Sequence, residues 1–127
     1  SSMAQQMKMK HVTMPLYNEK RQLEYILRAL EMHVSDQESE LYKLQIKGTG
    51  IEQMLITSPY CKINMNTKII HSKEVIKLSE KGLKISGVGY LYDMQKKVLK
   101  LHSKVRIELD NNESDEKENK QNLERKK

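Results

Sequence analysis

The sequence contains neither phenylalanine nor tryptophan, so its only aromatic residues are six tyrosines. Any hydrophobic core must therefore be built from isoleucine, leucine, valine and methionine. Side chains of this size suit a thin sheet structure better than a large globular core. With 127 residues, the chain has the length of a single domain.

Motifs that mark enzymes and metal sites are also missing. Cys61 is the only cysteine, which excludes an intrachain disulfide and a cysteine-based metal cluster. The sequence has no G-x-S-x-G elbow and no P-loop, and Gly87-Val88-Gly89 lacks the third glycine of a dinucleotide fingerprint. No metal-ligand spacing relates the four histidines, which are His11, His33, His71 and His102. These absences predict a non-catalytic protein with neither cofactor nor metal.

Long apolar runs are absent too. No run approaches the ~20 residues needed to span a bilayer, and no signal peptide is recognisable. The opening Ser1-Ser2-Met3 resembles a tag remnant, so we expect any native leader or anchor to lie outside this sequence. The net charge is +6. A basic surface favours anionic partners such as phosphates, anionic lipid or nucleic acid, although a solvated lysine-rich surface explains it equally well.

What the sequence does contain is a regular series of turns. Clusters of turn residues occur at Ser35–Ser39, Lys47–Gly50, Asn64–Lys68, Ser79–Gly82, Asp93–Lys97 and Asp110–Asn112. Short runs rich in aliphatic residues separate them, at Met9–Tyr17, Leu41–Ile46, Glu52–Thr57, Cys61–Met65, Ile69–Leu78, Leu83–Tyr92 and Val98–Leu109. This spacing predicts a meandering antiparallel sheet. We expect Pro59 at a strand start or a bulge, and Gly87 and Gly89 to mark a bulge or bend.

The segment Arg21–Val34 is ambiguous by itself. Its aliphatic residues fit the i, i+3, i+4, i+7 spacing of a helix, for which Asn18 could provide the cap. Strict alternation of Leu23, Tyr25, Leu27 and Ala29 fits a strand equally well. The rest of the chain favours the strand.

The chain divides into three parts. Residues 1–8 are a tag remnant and flexible lead-in, residues 9–109 form the β-domain, and residues 110–127 form a charged, Asn/Gln-rich tail that we predict to be disordered.

One alternative function is a basic nucleic-acid-binding β-domain. Lysine-rich strands with tyrosines can form an OB-like platform, and Tyr90 and Tyr92 share one face of a strand. However, no RNP-type motif occurs, and the lysines are spread over the whole chain. We therefore expect no nucleic-acid partner.

From residue 14 to residue 109 the order of short motifs resembles the LptC/OstA-like periplasmic family of lipopolysaccharide export proteins. The specificity lies in the order, because each motif is degenerate. The motifs are Leu23-x-Tyr25-x-Leu27-x-Ala29, Ser58-Pro59, the turn Asn64–Thr67, Ser72 to Val75, Gly82, Ser86-Gly87-x-Gly89, Tyr92-Asp93 and the strand Leu99–Arg106.

The resemblance implies an all-β fold, a twisted antiparallel β-jellyroll that is open along one side. It further implies a non-catalytic bridge component that holds lipid A acyl chains in an apolar groove. Stacked β-jellyrolls would pass lipopolysaccharide onward from an inner-membrane ABC transporter. The expected location is the periplasm, with an N-terminal tether to the inner membrane.

Strand alternation then gives twelve candidate residues for the lipid-binding lining. They are Leu27, Ala29, Met54, Ile56, Ile63, Met65, Val75, Ile85, Leu99, Leu101, Val105 and Ile107. The same residues would equally form a closed core, which corresponds to a second alternative, a structural or protein-interaction module without lipid cargo. We expect the first and last strands to pair with neighbouring β-jellyrolls or with another copy of the chain.

Overall fold

A computed structural model describes residues 7–50 and 53–109, which form seven β-strands. The strands are β1 (Met7–Tyr17), β2 (Leu23–Val34), β3 (Ser39–Gly48), β4 (Leu55–Asn64), β5 (Ile69–Glu80), β6 (Leu83–Asp93) and β7 (Val98–Leu109). This part of the chain contains no helix that is long and apolar enough to cross a membrane.

The strands form one antiparallel sheet in the order of the sequence, β1 to β7. Within the described residues β1 pairs only with β2 and β7 only with β6, so both are open edges. The sheet curls on itself. This curvature brings the hydroxyl of Tyr25 in β2 within 3.5 Å of the hydroxyl of Tyr92 in β6. Two halves of one continuous sheet therefore cover each other's inner face.

Three of the connections are built on the same side-chain device. The Oδ1 atoms of Asn18, Asn64 and Asp93 each accept hydrogen bonds from two backbone N–H groups in the turn that follows. Each turn contains a basic residue with positive φ, namely Arg21, Lys68 and Lys97. Asn and Asp stabilise such turns because their short side chains reproduce a backbone acceptor.

The inner face of the sheet contains the core, but its alternation changes partway along several strands. In β3 the buried residues are Ser39 and Leu41, and then Leu44 and Ile46. In β4 they are Ile56 and Ser58, and then Cys61 and Ile63. The step of three residues occurs because an extra residue or a positive-φ residue interrupts the pleat, as at Lys43 with φ 53°.

Each predicted strand overlaps a strand of the structure, and most differ from it only in their bounds. Val98–Leu109 is confirmed to the residue, and Arg21–Val34 forms a strand, not a helix. The runs Glu52–Thr57 and Cys61–Met65 are wrong as separate strands, because β4 continues through Pro59 across a register shift.

The first strand begins at Met7, two residues before its predicted start. The bend predicted at Gly89 is confirmed by its φ of +78° and by the shift of register opposite it. The predicted disordered tail lies outside the described residues.

Candidate functional site

The centre of the curled sheet is closed. Nine side chains there are fully buried, with no solvent exposure: Leu27, Leu41, Ile46, Ile56, Cys61, Ile63, Ile70, Ile76 and Tyr90. They come from β2 to β6, so the middle strands pack tightly against each other's inner face. Closely packed aliphatic side chains of this kind stabilise the fold and leave little room for a ligand.

An open groove begins where this closed centre ends. It has a volume of about 810 Å³ and lies between the start of β2, the β3–β4 loop and the β5–β6 hairpin. Its apolar lining consists of Leu23, Tyr25, Met54, Leu78, Leu83, Ile85, Tyr92 and Leu99. Its polar residues include Asn18, Gln22, Glu24, Gln53, Glu80 and Lys97. This combination of an apolar wall and a polar rim suits an amphipathic ligand.

Two tyrosines form the boundary between the groove and the core. The hydroxyls of Tyr25 and Tyr92 are 3.5 Å apart, and the Tyr25 hydroxyl also donates to the carbonyl oxygen of Met94 at 3.5 Å. The Tyr92 hydroxyl lies 3.8 Å from the sulfur of Met54. Burial raises the pKa of both tyrosines, so both hydroxyls stay protonated and uncharged at neutral pH.

A second hollow of about 520 Å³ adjoins the groove along the β1–β2 loop. The two hollows share Asn18, Gln22, Glu24 and Tyr25. Charged contacts hold the loops around them. Lys97 Nζ is 3.6 Å from Glu24 Oε2, and Lys68 Nζ donates to the carbonyl oxygen of Tyr17 at 3.3 Å.

The inner face also stays accessible on the two edge strands. Ile107 and Leu109 of β7 lie opposite Ile85 and Leu83 of β6, so they share the face that lines the groove. Nevertheless Val105, Ile107 and Leu109 are 52%, 65% and 72% exposed. On the other edge, the β1 residues Met7 and Met9 lie opposite Val34 and Met32 and are also exposed. The closed centre is therefore flanked by apolar edges that nothing covers among the described residues.

A family model for lipopolysaccharide assembly, described as LptC-related, matches residues 3–110. The chain belongs to the LptC-related family. A search of curated proteins found no match. Membership supports the involvement of this domain in lipopolysaccharide export.

Twelve residues were predicted to line a lipid site in this LptC-related domain. In the structure they lie in four different environments. Leu27, Ala29, Ile56 and Ile63 lie in the closed centre. Met54, Met65, Ile85, Leu99 and Leu101 are partly buried and pack against it, and three of these five, Met54, Ile85 and Leu99, line the open groove. Val105 and Ile107 lie on the exposed edge of β7.

Val75 lies apart from the other eleven. It lines a shallow hollow with Lys43, Gln45, Thr57 and Pro59. Apolar and polar residues do not alternate strictly between Ile69 and Leu78. The reason is the register shift after Ser72, where β5 has an extra residue opposite β6.

Sequence reasoning missed Tyr25, Leu78, Leu83 and Tyr92 as groove residues. In the alternative of a nucleic-acid-binding domain, Tyr90 and Tyr92 form a pair on which bases stack. That interpretation is wrong, because both rings are buried on the inner face and no base could reach them. The alternate spacing of Tyr90 and Tyr92 in β6 with Met94, which directly follows the strand, was the signal for an inward face.

The side chain of Cys61 is fully buried in β4. Burial raises the pKa of its thiol to about 12. The neutral thiol therefore behaves as a small apolar core group and not as a nucleophile. Within residues 7–50 and 53–109, no group of three or more His, Cys, Asp or Glu side chains is placed to hold a metal ion.

Proposed function

We propose that this LptC-related domain binds the acyl chains of lipid A in the open groove and along the inner faces of its edge strands during lipopolysaccharide export. The observation that carries the proposal is the division of the inner face. Its centre is closed, while the groove wall and the ends of β1 and β7 expose aliphatic side chains. Exposed contiguous apolar surface of this kind marks a binding site, and each buried methylene contributes about 0.8 kcal/mol.

In this proposal the predicted lining divides into two roles. Met54, Ile85, Leu99, Val105 and Ile107 contact acyl chains directly. The fully buried residues beneath them, such as Leu27 and Ile56, support the groove as its floor. The polar rim, which includes Lys97, lies where the sugar and phosphate portion of the lipid would leave the groove.

We further propose that the two open edges pair with neighbouring β-jellyrolls, so that the apolar faces of successive domains join. An unpaired edge strand presents free N–H and C=O groups that another strand can satisfy. Pro15 in β1 lacks an N–H donor, which fits a strand whose outer edge is only partly available for pairing. The inner-membrane ABC transporter and the N-terminal tether expected from the family complete this route.

The test is site-specific photo-crosslinking to purified lipopolysaccharide. A photoreactive residue at Leu99 or at Ile107 should give saturable cross-links that persist at high salt and in the presence of single-stranded DNA. The matched control is Leu30, which is similarly apolar and exposed but does not line the groove. Equal cross-linking at Leu30, or loss of cross-links with salt, would contradict the proposal and favour a structural module.

A further inference from the structure

The outer face of the sheet contains a row of polar residues that crosses all seven strands. Each member of the row is the register partner of the next, from β1 to β7. The row consists of Thr13, Arg28, Gln45, Thr57, Lys77, Ser86 and Arg106. Its three charged members are all cations.

The parallel row two residues away has a similar character. It consists of Pro15, Ile26, Lys47, Leu55, Ser79, Lys84 and Glu108. It adds two cations, one carboxylate and two partly exposed aliphatic side chains, Ile26 and Leu55. We call the two rows together the cationic half of the outer face.

The other half of the outer face has the opposite arrangement, because carboxylates there accompany the basic groups. His33 Nε2 is 2.5 Å from Glu31 Oε2, and His71 Nε2 is 2.6 Å from Glu38 Oε2. Glu40 accepts a hydrogen bond from the hydroxyl of Tyr60. In contrast, Arg28, Lys77 and Arg106 have no carboxylate partner anywhere in residues 7–50 or 53–109. The two rows of the cationic half combine five basic side chains with a single carboxylate, that of Glu108, and so have a marked excess of positive charge.

A depression of about 440 Å³ lies in the cationic half, where β4 to β7 run side by side. Lys77 and Arg106 line it, together with the hydroxyl-bearing residues Thr57, Ser79 and Ser86. Leu55, Leu78 and Ile85 line it as well, and Lys84 and Glu108 are also present. Leu78 and Ile85 are shared with the open groove, so the two hollows adjoin. Guanidinium, ammonium and hydroxyl donors around one hollow fit the oxygens of a phosphate group.

The side chains that are absent from the cationic half help to choose the partner. It has no aromatic residue, whereas single-stranded nucleic acid binds by stacking its bases on aromatic rings. Tyr42 and Tyr60 lie on the other half, with ring centroids 5.1 Å apart and beside Glu40. Cations interspersed with aliphatic side chains are instead typical of surfaces that contact phospholipid headgroups.

We propose that the cationic half of the outer face docks on an anionic phospholipid bilayer, with one headgroup phosphate in the depression between Lys77 and Arg106. Lys77 and Arg106 do not line the groove, so their substitution tests this interaction separately from the proposed acyl-chain site. Lys77 and Arg106 lie two strands apart, at roughly 10 Å, on either side of this depression.

The test is co-sedimentation with vesicles of phosphatidylcholine alone and of phosphatidylcholine mixed with phosphatidylglycerol. The test variant is Lys77→Ala with Arg106→Ala. The matched control is Lys62→Ala with Lys100→Ala, which removes the same charge from the other half of the same face. At low salt we expect the wild-type chain to bind the anionic vesicles, the test variant to bind about thirtyfold more weakly, and the control to change much less.

Each other outcome would overturn the proposal. Equal weakening in both double variants would mean that net charge alone acts. No binding by the wild-type chain, or equal binding to phosphatidylcholine, would exclude docking on anionic headgroups. If single-stranded DNA competes with the vesicles for the protein, and its binding is weakened by the Lys77→Ala with Arg106→Ala variant, the surface would be one for nucleic acid. The vesicle experiment is read independently of the photo-crosslinking experiment, because Leu99 and Ile107 are not substituted in it. Failure of the cross-links would therefore not change how its outcomes are interpreted.

Discussion

The hydroxyl groups of Tyr25 in β2 and Tyr92 in β6 lie 3.5 Å apart, although 67 residues separate them in the chain. The contact joins the two halves of the curled sheet at the boundary between the closed centre and the open groove. Tyrosine serves this position because its ring packs against the core while its hydroxyl finds a polar partner. The groove therefore depends on a contact that also holds the fold together.

Replacing either tyrosine with phenylalanine should lower the free energy of unfolding by about 0.5–1.5 kcal/mol, because each change leaves a buried polar group with fewer partners. The double variant Tyr25→Phe with Tyr92→Phe should cost less than the sum of the two, since both partners of the pair are then gone. Urea denaturation followed by circular dichroism measures all three values.

Tyr17→Phe is the control for this series, because Tyr17 is half exposed and none of the hydrogen bonds described above involves its hydroxyl. We expect it to change the free energy of unfolding by no more than about 0.5 kcal/mol. Strict additivity of the two core substitutions would show that the hydroxyls do not interact.

The positions of the strands were predictable because the turns between them have strong local chemistry. Asn64 and Asp93 each precede a basic residue by four positions, and in both cases that residue adopts positive φ. This arrangement depends only on neighbouring residues, so a single sequence reveals it. Asn18 forms the same kind of turn, although by itself it also suggested a helix cap.

The faces of the strands were harder to predict, because the alternation changes within a strand. In β2 the buried residues are Tyr25, Leu27 and Ala29, and then Met32, three positions later. The helical spacing in Arg21–Val34 came instead from Leu23, Ile26, Leu27 and Leu30, of which only Leu27 is buried. Whether a strand contains such a step depends on its pairing with a neighbour, which local sequence does not specify.

The groove was predictable only in part for the same reason. Ile85 and Leu99 were found because they alternate regularly with polar residues. The meeting of Tyr25 with Tyr92 depends on how far the whole sheet curls, and no local pattern encodes that curvature.

Gly89→Ala should destabilise the protein by more than about 1 kcal/mol. Gly89 has a φ of +78°, which other residues adopt at a cost, and a Cβ there would lie 2.8 Å from Nδ1 of His102. The double variant Gly89→Ala with His102→Ala should regain the stability lost to the steric clash. It should not regain the stability lost to the unfavourable backbone conformation. Thermal unfolding measures both.

The control for this substitution is Gly50→Ala, because an added Cβ at Gly50 meets nothing within 4 Å. We expect that change to be nearly neutral. If Gly89→Ala were also neutral, the bend in β6 at the register shift with β5 would not require a residue with positive φ.

The thiol of Cys61 should react with a thiol reagent only when the protein unfolds. Its side chain is fully buried, and burial raises its pKa from 9.0 to about 12, so little thiolate is present in the folded state. Labelling followed by mass spectrometry should therefore be slow in buffer and fast in urea. Rapid labelling under native conditions would mean that β4 opens locally.

The same shift predicts a dependence of stability on pH. The pKa of Cys61 is higher in the folded protein than in the unfolded chain, so its contribution is fully present below pH 9.0 and is lost as the pH rises toward 12. In that range the wild-type protein should lose stability more steeply than Cys61→Ala, by about 1.4 kcal/mol per pH unit at most. Parallel curves would show that the thiol ionises equally in both states.

Two isoleucines on the inner face should respond very differently to truncation. Ile63 in β4 is fully buried, so Ile63→Ala should cost about 2–5 kcal/mol through lost contacts and the cavity that remains. Ile107 in β7 is 65% exposed, and Ile107→Ala should cost less than about 1 kcal/mol while weakening the binding of an acyl-chain probe. Urea denaturation at low protein concentration, with probe binding measured in parallel, tests both. A large stability loss from Ile107→Ala would mean that another segment covers the inner face at β7, in which case acyl chains could not reach it.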